Sequence, residues 1–153
     1  MVMRPFPAHR TTGLLVAATV IAADQVTKNL ASYGAPYGFV PRNPSYAFGI
    51  VGGSAMTLIV GAAFVLGAFL VVADVLAVRF GISIVMPALV AGGTIGNTLD
   101  RIRLGSVRDF VSVPGALVNL ADFAVAAGVI GIVIALAMRV PRLRSQQLTT
   151  AVR

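Results

Sequence analysis

The chain has 153 residues, of which 58% are hydrophobic and only 11% are charged, and its formal net charge is +7. Soluble domains carry charges on about a quarter of their residues, so this composition excludes an ordinary soluble domain and predicts one membrane-embedded unit over residues 1–153. The absence of cysteine excludes disulfide bonds, a thiol nucleophile and a lipid attached to the chain itself.

The first predicted transmembrane helix covers residues 12–31. An apolar run from Gly13 to Ala23 precedes the polar sequence DQVTK at 24–28. The run has the length of the apolar core of a secretory signal peptide, but no small-x-small cleavage site follows it. We therefore predict a retained helix, since about 20 residues cross a bilayer at about 1.5 Å per residue.

Residues 32–54 are predicted to form a loop or small sheet that lies on the membrane. The segment contains three prolines, several glycines and five aromatic residues. Proline at this density interrupts helices, and aromatic side chains are enriched at the membrane–water interface. The sequence Tyr37-Gly38-Phe39-Val40 has the alternation of a short strand.

Three more transmembrane helices are predicted over residues 55–78, 82–100 and 119–138, which are almost wholly apolar between polar or basic ends. Residues 101–118 are predicted to be a polar loop, with Pro114-Gly115 as its turn. The predicted fold class is an all-α membrane protein with four transmembrane helices.

The basic residues predict the orientation in the membrane. Seven of the twelve lysines and arginines lie in the two tails and at Arg79, and five lie on the other side. This bias predicts that both termini are cytoplasmic. Four of the five acidic residues then fall toward the outer face, namely Asp24, Asp100, Asp109 and Asp122. Asp74 is the exception, and we interpret it as a solvated helix end.

Polar residues of the third helix share one face. Gly93, Asn97 and Asp100 are spaced four and three residues apart, which places them on the same side of a helix. Gly92 and Gly96 form a small-xxx-small pair, for which close helix packing is the simpler interpretation. The carboxylates at the membrane edge point to a functional site, because such groups are costly to place there.

Several of these acids also have structural interpretations. Asp24 and Lys28 have the i, i+4 spacing of a helical ion pair, and a structural role is favoured for them. For Asp100, an ion pair with the next residue, Arg101, at the helix terminus is an equal alternative. Asp122 would be favoured in a first helical turn by the helix dipole, and Asp109 would form a loop salt bridge with Arg108 or Arg103.

The residue types favour hydrolysis by two carboxylates. A close pair of carboxyl groups holds one proton near neutral pH, so that one member activates water and the other protonates the scissile carbonyl. The lone His9 argues against a zinc site or a Ser-His-Asp triad. A Ser-Lys pair would have to use Lys28, the only lysine. No metal, cofactor or nucleic-acid partner is expected, since the basic residues form no long face with interleaved aromatics.

Four blocks of the sequence resemble the lipoprotein signal peptidases, or signal peptidase II. They are DQVTK at 24–28, Asn43 with Ala47-Phe48, GGTIGNTLDRIRLGSVRDF at 92–110, and NLAD at 119–122. The resemblance covers nearly all of the predicted membrane part. It implies an aspartic endopeptidase of the bacterial inner membrane with four transmembrane helices and a small extracytoplasmic β-cradle between helices 1 and 2.

The resemblance also implies which residues act and on what. Asp109 and Asp122 would be the catalytic pair. The residues implied to support the site or the substrate are Asp24, Lys28, Asn43, Gly93, Asn97, Asp100, Arg101 and Asn119. Such enzymes remove the signal peptide from diacylglyceryl-modified prolipoproteins by cutting before the lipidated cysteine. The implied partners are therefore these precursors, membrane lipid and inhibitors of the globomycin type.

One segment departs from the family's pattern. The residues after Asn43 read Pro44-Ser45-Tyr46, where the family usually has a glycine and small residues. This departure leaves open a relative that binds lipidated signal peptides without cutting them. A small proton or cation transporter is a further alternative, which would need acids through the depth of the membrane.

Overall fold

The computed structural model describes residues 8–35, 40–43 and 54–151. Its helices are α1 (Ala8–Gly34), α2 (Ala55–Phe80), α3 (Val85–Leu104) and α4 (Leu120–Ala151). Its strands are β1 (Arg42–Asn43), β2 (Val107–Arg108), β3 (Val111–Val113) and β4 (Ala116–Val118). Each of the four predicted apolar spans thus corresponds to one helix.

Two of these helices are long and apolar enough to cross a membrane within the described residues. They are Arg10–Gly34 and Leu120–Arg139, with mean hydropathies of 1.2 and 2.4. Large apolar side chains are exposed along both, such as Leu14 at 67% and Ile130 at 58%. Exposed apolar surface of this extent suits contact with lipid rather than water.

The third helix is longer at its C-terminus than predicted. The prediction ended it at residue 100 and assigned Arg101 to a loop, but α3 continues to Leu104. Gly105 then ends the helix in the left-handed region with φ 71°, which glycine enters without a Cβ penalty. Asp100 and Arg101 suggested a helix end, yet the helix continues past both of them.

α3 lies between α1 and α4, and its glycines let both approach closely. A Cβ at Gly92 would lie 2.9 Å from the Ala17 carbonyl oxygen of α1. A Cβ at Gly93, on the other side, would meet the Ala121 carbonyl oxygen of α4. The glycine spacing therefore serves helix packing, as predicted for the small-xxx-small pair.

The strands join the two long connections of the chain. β1, from the α1–α2 connection, pairs antiparallel with β2, with Arg42 opposite Arg108. β3 and β4 form a hairpin around Pro114-Gly115, where Gly115 has φ 83°. The turn was predicted, but the loop prediction for 101–118 missed these three short strands.

Some predictions concern parts of the chain outside the described residues. The departure at Pro44-Ser45-Tyr46 lies there, as does most of the strand predicted over 37–40. The interpretation of Asp74 concerns a side chain that is likewise outside them. These remain predictions.

Candidate functional site

The first turn of α4 is fixed by two reciprocal hydrogen bonds. The Asp122 amide donates to Asn119 Oδ1 over 3.1 Å, and the Asn119 amide donates to Asp122 Oδ2 over 3.0 Å. This is the geometry of a capping box, which satisfies N–H groups that a helix start leaves without partners. The sequence NLAD therefore both begins the helix and fixes the Asp122 carboxylate.

Asp109 lies where the chain leaves one strand pair and enters the next. Its amide donates to the Pro41 carbonyl oxygen over 3.1 Å, which extends the β1–β2 pairing. The next amide, of Phe110, donates to the Val118 carbonyl oxygen over 3.1 Å. The backbone on both sides of Asp109 is thus held by other segments, and the residue is only 4% exposed.

Asn119 connects the two aspartates. Its Nδ2 donates to Asp109 Oδ1 over 2.6 Å, while its backbone amide and Oδ1 bind Asp122. The Asn119 side chain is fully buried. One residue therefore holds both carboxyl groups, and the loop and the helix start that carry them meet at this point.

Burial raises the pKa of the Asp109 carboxyl above its ordinary value of 3.8. Hydrogen bonds from Asn119 and Asn43 oppose this shift, and the charge of Asp122 adds to it. The charge of Lys28 acts in the opposite direction. The net result is a carboxyl group that keeps its proton more readily than an exposed aspartic acid.

A buried lysine is linked to Asp122 through an amide side chain. Lys28 Nζ lies 2.8 Å from Asp24 Oδ2, and both side chains are fully buried. The same ammonium donates to Asn97 Oδ1 over 2.8 Å, and Asn97 Nδ2 donates to Asp122 Oδ1 over 2.8 Å. Because lysine only donates, Asn97 must direct its NH₂ group toward Asp122.

α1 also holds the start of α4 directly. Asp24 Oδ1 accepts a hydrogen bond from the Ala121 amide over 3.0 Å, one of the groups that a helix start leaves without an intrahelical partner. The carbonyl of the same Ala121 packs against Gly93 of α3. Asp24 and Gly93 therefore fix the residue next to Asp122 from two sides.

Asp100 is bound mainly by a residue other than its neighbour in sequence. Arg108 Nε lies 3.1 Å from Asp100 Oδ2, and Arg108 Nη2 lies 2.8 Å from Asp100 Oδ1. Lys28 Nζ is 3.6 Å from Asp100 Oδ2. Arg101 is 5% exposed, and its Nη1 donates to the Asn97 carbonyl oxygen over 3.3 Å. Arg108, considered above as a salt-bridge partner of Asp109, instead pairs with Asp100.

A cleft of about 270 Å³ opens beside Asp109. Its lining residues are Pro41, Arg42, Asn43, Asp109, Gly115, Ala116 and Leu117. Asn43 and Asp109 thus share one wall, and the β3–β4 hairpin supplies an apolar part of the lining. The cleft therefore opens next to a carboxyl group that is otherwise only 4% exposed.

The structure brings the ten predicted site residues into one region around the start of α4. Each has a contact described above with another member of the region or, for Asn43, with the same cleft. Sequence patterns did not single out Arg108 or Gln25. Gln25 Nε2 donates to the Gly96 carbonyl oxygen over 3.1 Å and to Asp100 Oδ1 over 3.3 Å. The partners named above for both residues lie in other elements of the fold, so no helical or strand spacing in the sequence predicts these contacts.

Comparison with known proteins gives consistent matches. The family described as signal peptidase (SPase) II matches residues 16–138. The lipoprotein signal peptidase of Caldanaerobacter subterraneus subsp. tengcongensis is 31% identical over 131 residues, which cover 76% of this chain and 90% of that protein. That of Methylorubrum extorquens is 35% identical over 85 residues, covering 45% and 50%.

Two solved structures of bacterial membrane enzymes are similar to this chain, each with a TM-score of 0.68. The first is 28% identical and covers 85% of this chain and 90% of its own. The second is 27% identical and covers 82% and 92%. The likeness therefore extends over most of both chains in each comparison.

Proposed function

Because this chain belongs to the signal peptidase II family, we propose that it is an aspartic endopeptidase that cleaves diacylglyceryl-modified prolipoproteins before the lipidated cysteine. Removal of signal peptides from prolipoproteins is the activity of this family. The aspartic mechanism, the catalytic pair and the exact bond cut are the proposed parts. The observation that carries the mechanism is the joint binding of Asp109 and Asp122 by Asn119.

The two carboxyl groups take different roles in this mechanism. Asp109 carries the shared proton, because burial raises its pKa. Both oxygens of Asp122 accept hydrogen bonds, from Asn97 and from the Asn119 amide, which suits the member that acts as base. Asp122 takes a proton from water while the water oxygen attacks the scissile carbonyl carbon, and Asp109 protonates the carbonyl oxygen. As the tetrahedral intermediate collapses, a hydroxyl of the intermediate returns a proton to Asp109, the C–N bond breaks, and the proton held by Asp122 passes to the leaving amine.

We further propose that all four helices span the bacterial inner membrane, with both termini cytoplasmic and the aspartates toward the outer face. The basic residues of the tails support this orientation. In this arrangement the cleft opens beside the lipid boundary, where the acyl chains of a precursor remain in the bilayer. Lipid and globomycin-type inhibitors are the other proposed partners.

The test is turnover of a purified lipidated precursor by the wild type and by Asp109→Asn and Asp122→Asn. General acid–base catalysis contributes about 10²–10⁴-fold, so we expect each variant to lose at least about 10²-fold in rate while remaining folded. Asp74→Asn in α2 is the matched control and should keep wild-type turnover. Wild-type activity in either of the first two variants would exclude the two-carboxylate mechanism.

The same assay addresses the two alternatives. A relative that only binds lipidated signal peptides would retain the precursor without turnover. A transporter would need acids along its depth, whereas Asp24, Asp100 and Asp122 gather near the C-terminal end of α3 and the N-terminal end of α4. Ion flux into vesicles reconstituted with the protein would be required to support it.

A further inference from the structure

Arg108 immediately precedes Asp109, and it makes more polar contacts than either aspartate of the proposed pair in the part of the chain that is described. Its side chain is 12% exposed. Its guanidinium donates to Asp100 Oδ2 at 3.1 Å, Asp100 Oδ1 at 2.8 Å, Asn29 Oδ1 at 2.8 Å and Gln25 Oε1 at 3.5 Å. One guanidinium therefore joins the strand before Asp109 to α1 and α3.

The contact with Asp100 has the fixed geometry of a forked pair. Nε and Nη2 bind the two carboxylate oxygens separately, which adds orientation as well as energy to an ion pair. The Arg108 backbone amide also donates to Asp100 Oδ2 over 3.1 Å. Side chain and backbone of the same residue are thus held by one carboxylate.

The forked pair of Arg108 with Asp100 is next to Asp109 in an extended chain, in which side chains alternate between two sides. Successive side chains of a strand point to opposite sides, and here Arg108 faces α1 and α3 while Asp109 binds Asn119 at the start of α4. Three consecutive amides are fixed by three different segments, namely Arg108 by Asp100, Asp109 by Pro41 and Phe110 by Val118. The chain immediately before Asp109 is therefore held to α3 through Arg108.

We propose that Arg108 is a positioning residue for the reaction, which holds the Asp109 carboxyl in place by its forked pair with Asp100. The proposal rests on the proposed function, in which Asp109 is the acid. Arg108 does not reach the substrate in this role. A lysine would keep the positive charge but lose the fork and the simultaneous reach to Asn29.

The experiment compares kcat and KM of Arg108→Lys and Arg108→Gln on a lipidated precursor, normalised to the monodisperse fraction in detergent. Misplacement of a catalytic group by about 1 Å costs about 10²-fold. We expect kcat to fall about 10- to 100-fold in both variants, with KM within about twofold of the wild type. Arg103→Gln is the matched control, since Arg103 is an exposed arginine at the end of α3 and its loss changes charge alone.

The charge-preserving variant separates positioning from charge balance. If Arg108→Lys recovers the kcat of the Arg103→Gln control, charge alone matters and the proposal is wrong. A double-mutant cycle with Asp100→Asn gives a second measurement, with each variant normalised to its monodisperse fraction. The proposal requires that the double variant Asp100→Asn, Arg108→Gln loses no more kcat than the worse single variant, whereas multiplicative losses overturn it.

The assay distinguishes failure of the positioning role from failure of the proposed function. Asp109→Asn is measured in the same assay. If Asp109→Asn is inactive while both Arg108 variants match the Arg103→Gln control, only the positioning role is excluded. If Asp109→Asn stays active, the catalytic pair is excluded and the positioning role with it.

Discussion

Replacing Asn119 separates its helix-capping role from its contact with the proposed acid. Asn119→Ala removes the side-chain acceptor for the Asp122 amide and the donor to Asp109 Oδ1. Asn119→Ser keeps a capping oxygen, because serine is among the preferred N-cap residues, but it is too short to keep the donor to Asp109. The two variants therefore differ by the cap alone.

The expected losses of stability follow from these two contacts. An N-cap contributes about 1 kcal/mol, and a hydrogen bond to an uncharged group, such as a protonated Asp109, contributes about 0.5–1.5 kcal/mol. We expect the free energy of unfolding to fall by about 0.5–1.5 kcal/mol in Asn119→Ser and by about 1 kcal/mol more in Asn119→Ala. Titration of the detergent-solubilised protein with a denaturing detergent would measure both.

The same variants should change the pH dependence of turnover. The Asn119 hydrogen bond lowers the pKa of Asp109 against the larger effect of burial, so its loss raises that pKa further. If Asp109 is the acid, the basic limb of the kcat/KM profile then moves to higher pH in both variants. A basic limb that stays in place, or moves to lower pH, would refute the assignment of the proton to Asp109.

Three other substitutions test the surrounding structure. Lys28→Met leaves the Asp24 carboxylate buried without its ammonium partner, so we expect the free energy of unfolding to fall by about 3–5 kcal/mol. More than half of this loss should be recovered in the Asp24→Asn, Lys28→Met double variant, and additive losses would contradict the reasoning. Gly93→Ala forces a methyl group against the α4 backbone and should lower the melting temperature and turnover, whereas Gly61→Ala, with no atom within 4 Å of the added Cβ, should do neither. Asp109→Asn should raise the free energy of unfolding at neutral pH. The pKa of Asp109 is raised in the folded protein, so the wild type loses stability as the pH rises through that pKa. The extra stability of the variant should vanish at pH values below 3.8, the ordinary pKa of the group.

The helices were predictable from the sequence because their apolar runs are long. The ends of the helices were harder to predict, and α3 shows the reason. Asp100 and Arg101 have the polarity of a loop, so the predicted helix stopped at residue 100, yet α3 continues to Leu104. Asp100 is buried because Arg108 and Lys28, from two other elements, bind its carboxylate. Local polarity predicts exposure only when no distant partner is present.

The strands were missed for a different reason. Those of the α3–α4 connection have two or three residues each, too few for alternation to emerge from a sequence. Only their turn at Pro114-Gly115 carried a signal. The pairing of β2 with β1 joins segments more than sixty residues apart along the chain, and no local pattern reports such a contact.

The sequence predicted which residues lie together at the candidate site better than it predicted the hydrogen bonds between them. NLAD contains its own capping geometry, and DQVTK contains the Asp24–Lys28 pair at helical spacing. The contact of Asn119 with Asp109 joins a helix start to a strand end. The sequence predicted the two carboxyl groups, but only the fold shows that Asn119 binds both of them.

The charges of the buried cluster give an independent argument for one shared proton. Its described ionisable groups, which are buried apart from the half-buried Arg108 and Asp122, are Asp24, Lys28, Asp100, Arg101, Arg108, Asp109 and Asp122. Three of them are cationic and four are carboxyl groups, so the cluster is neutral when a single carboxyl is protonated. Since net charge is costly to bury, the surroundings favour one proton in the cluster. Burial raises the pKa of Asp109, which is why the proposed mechanism places this proton on Asp109 and lets Asp122 act on water.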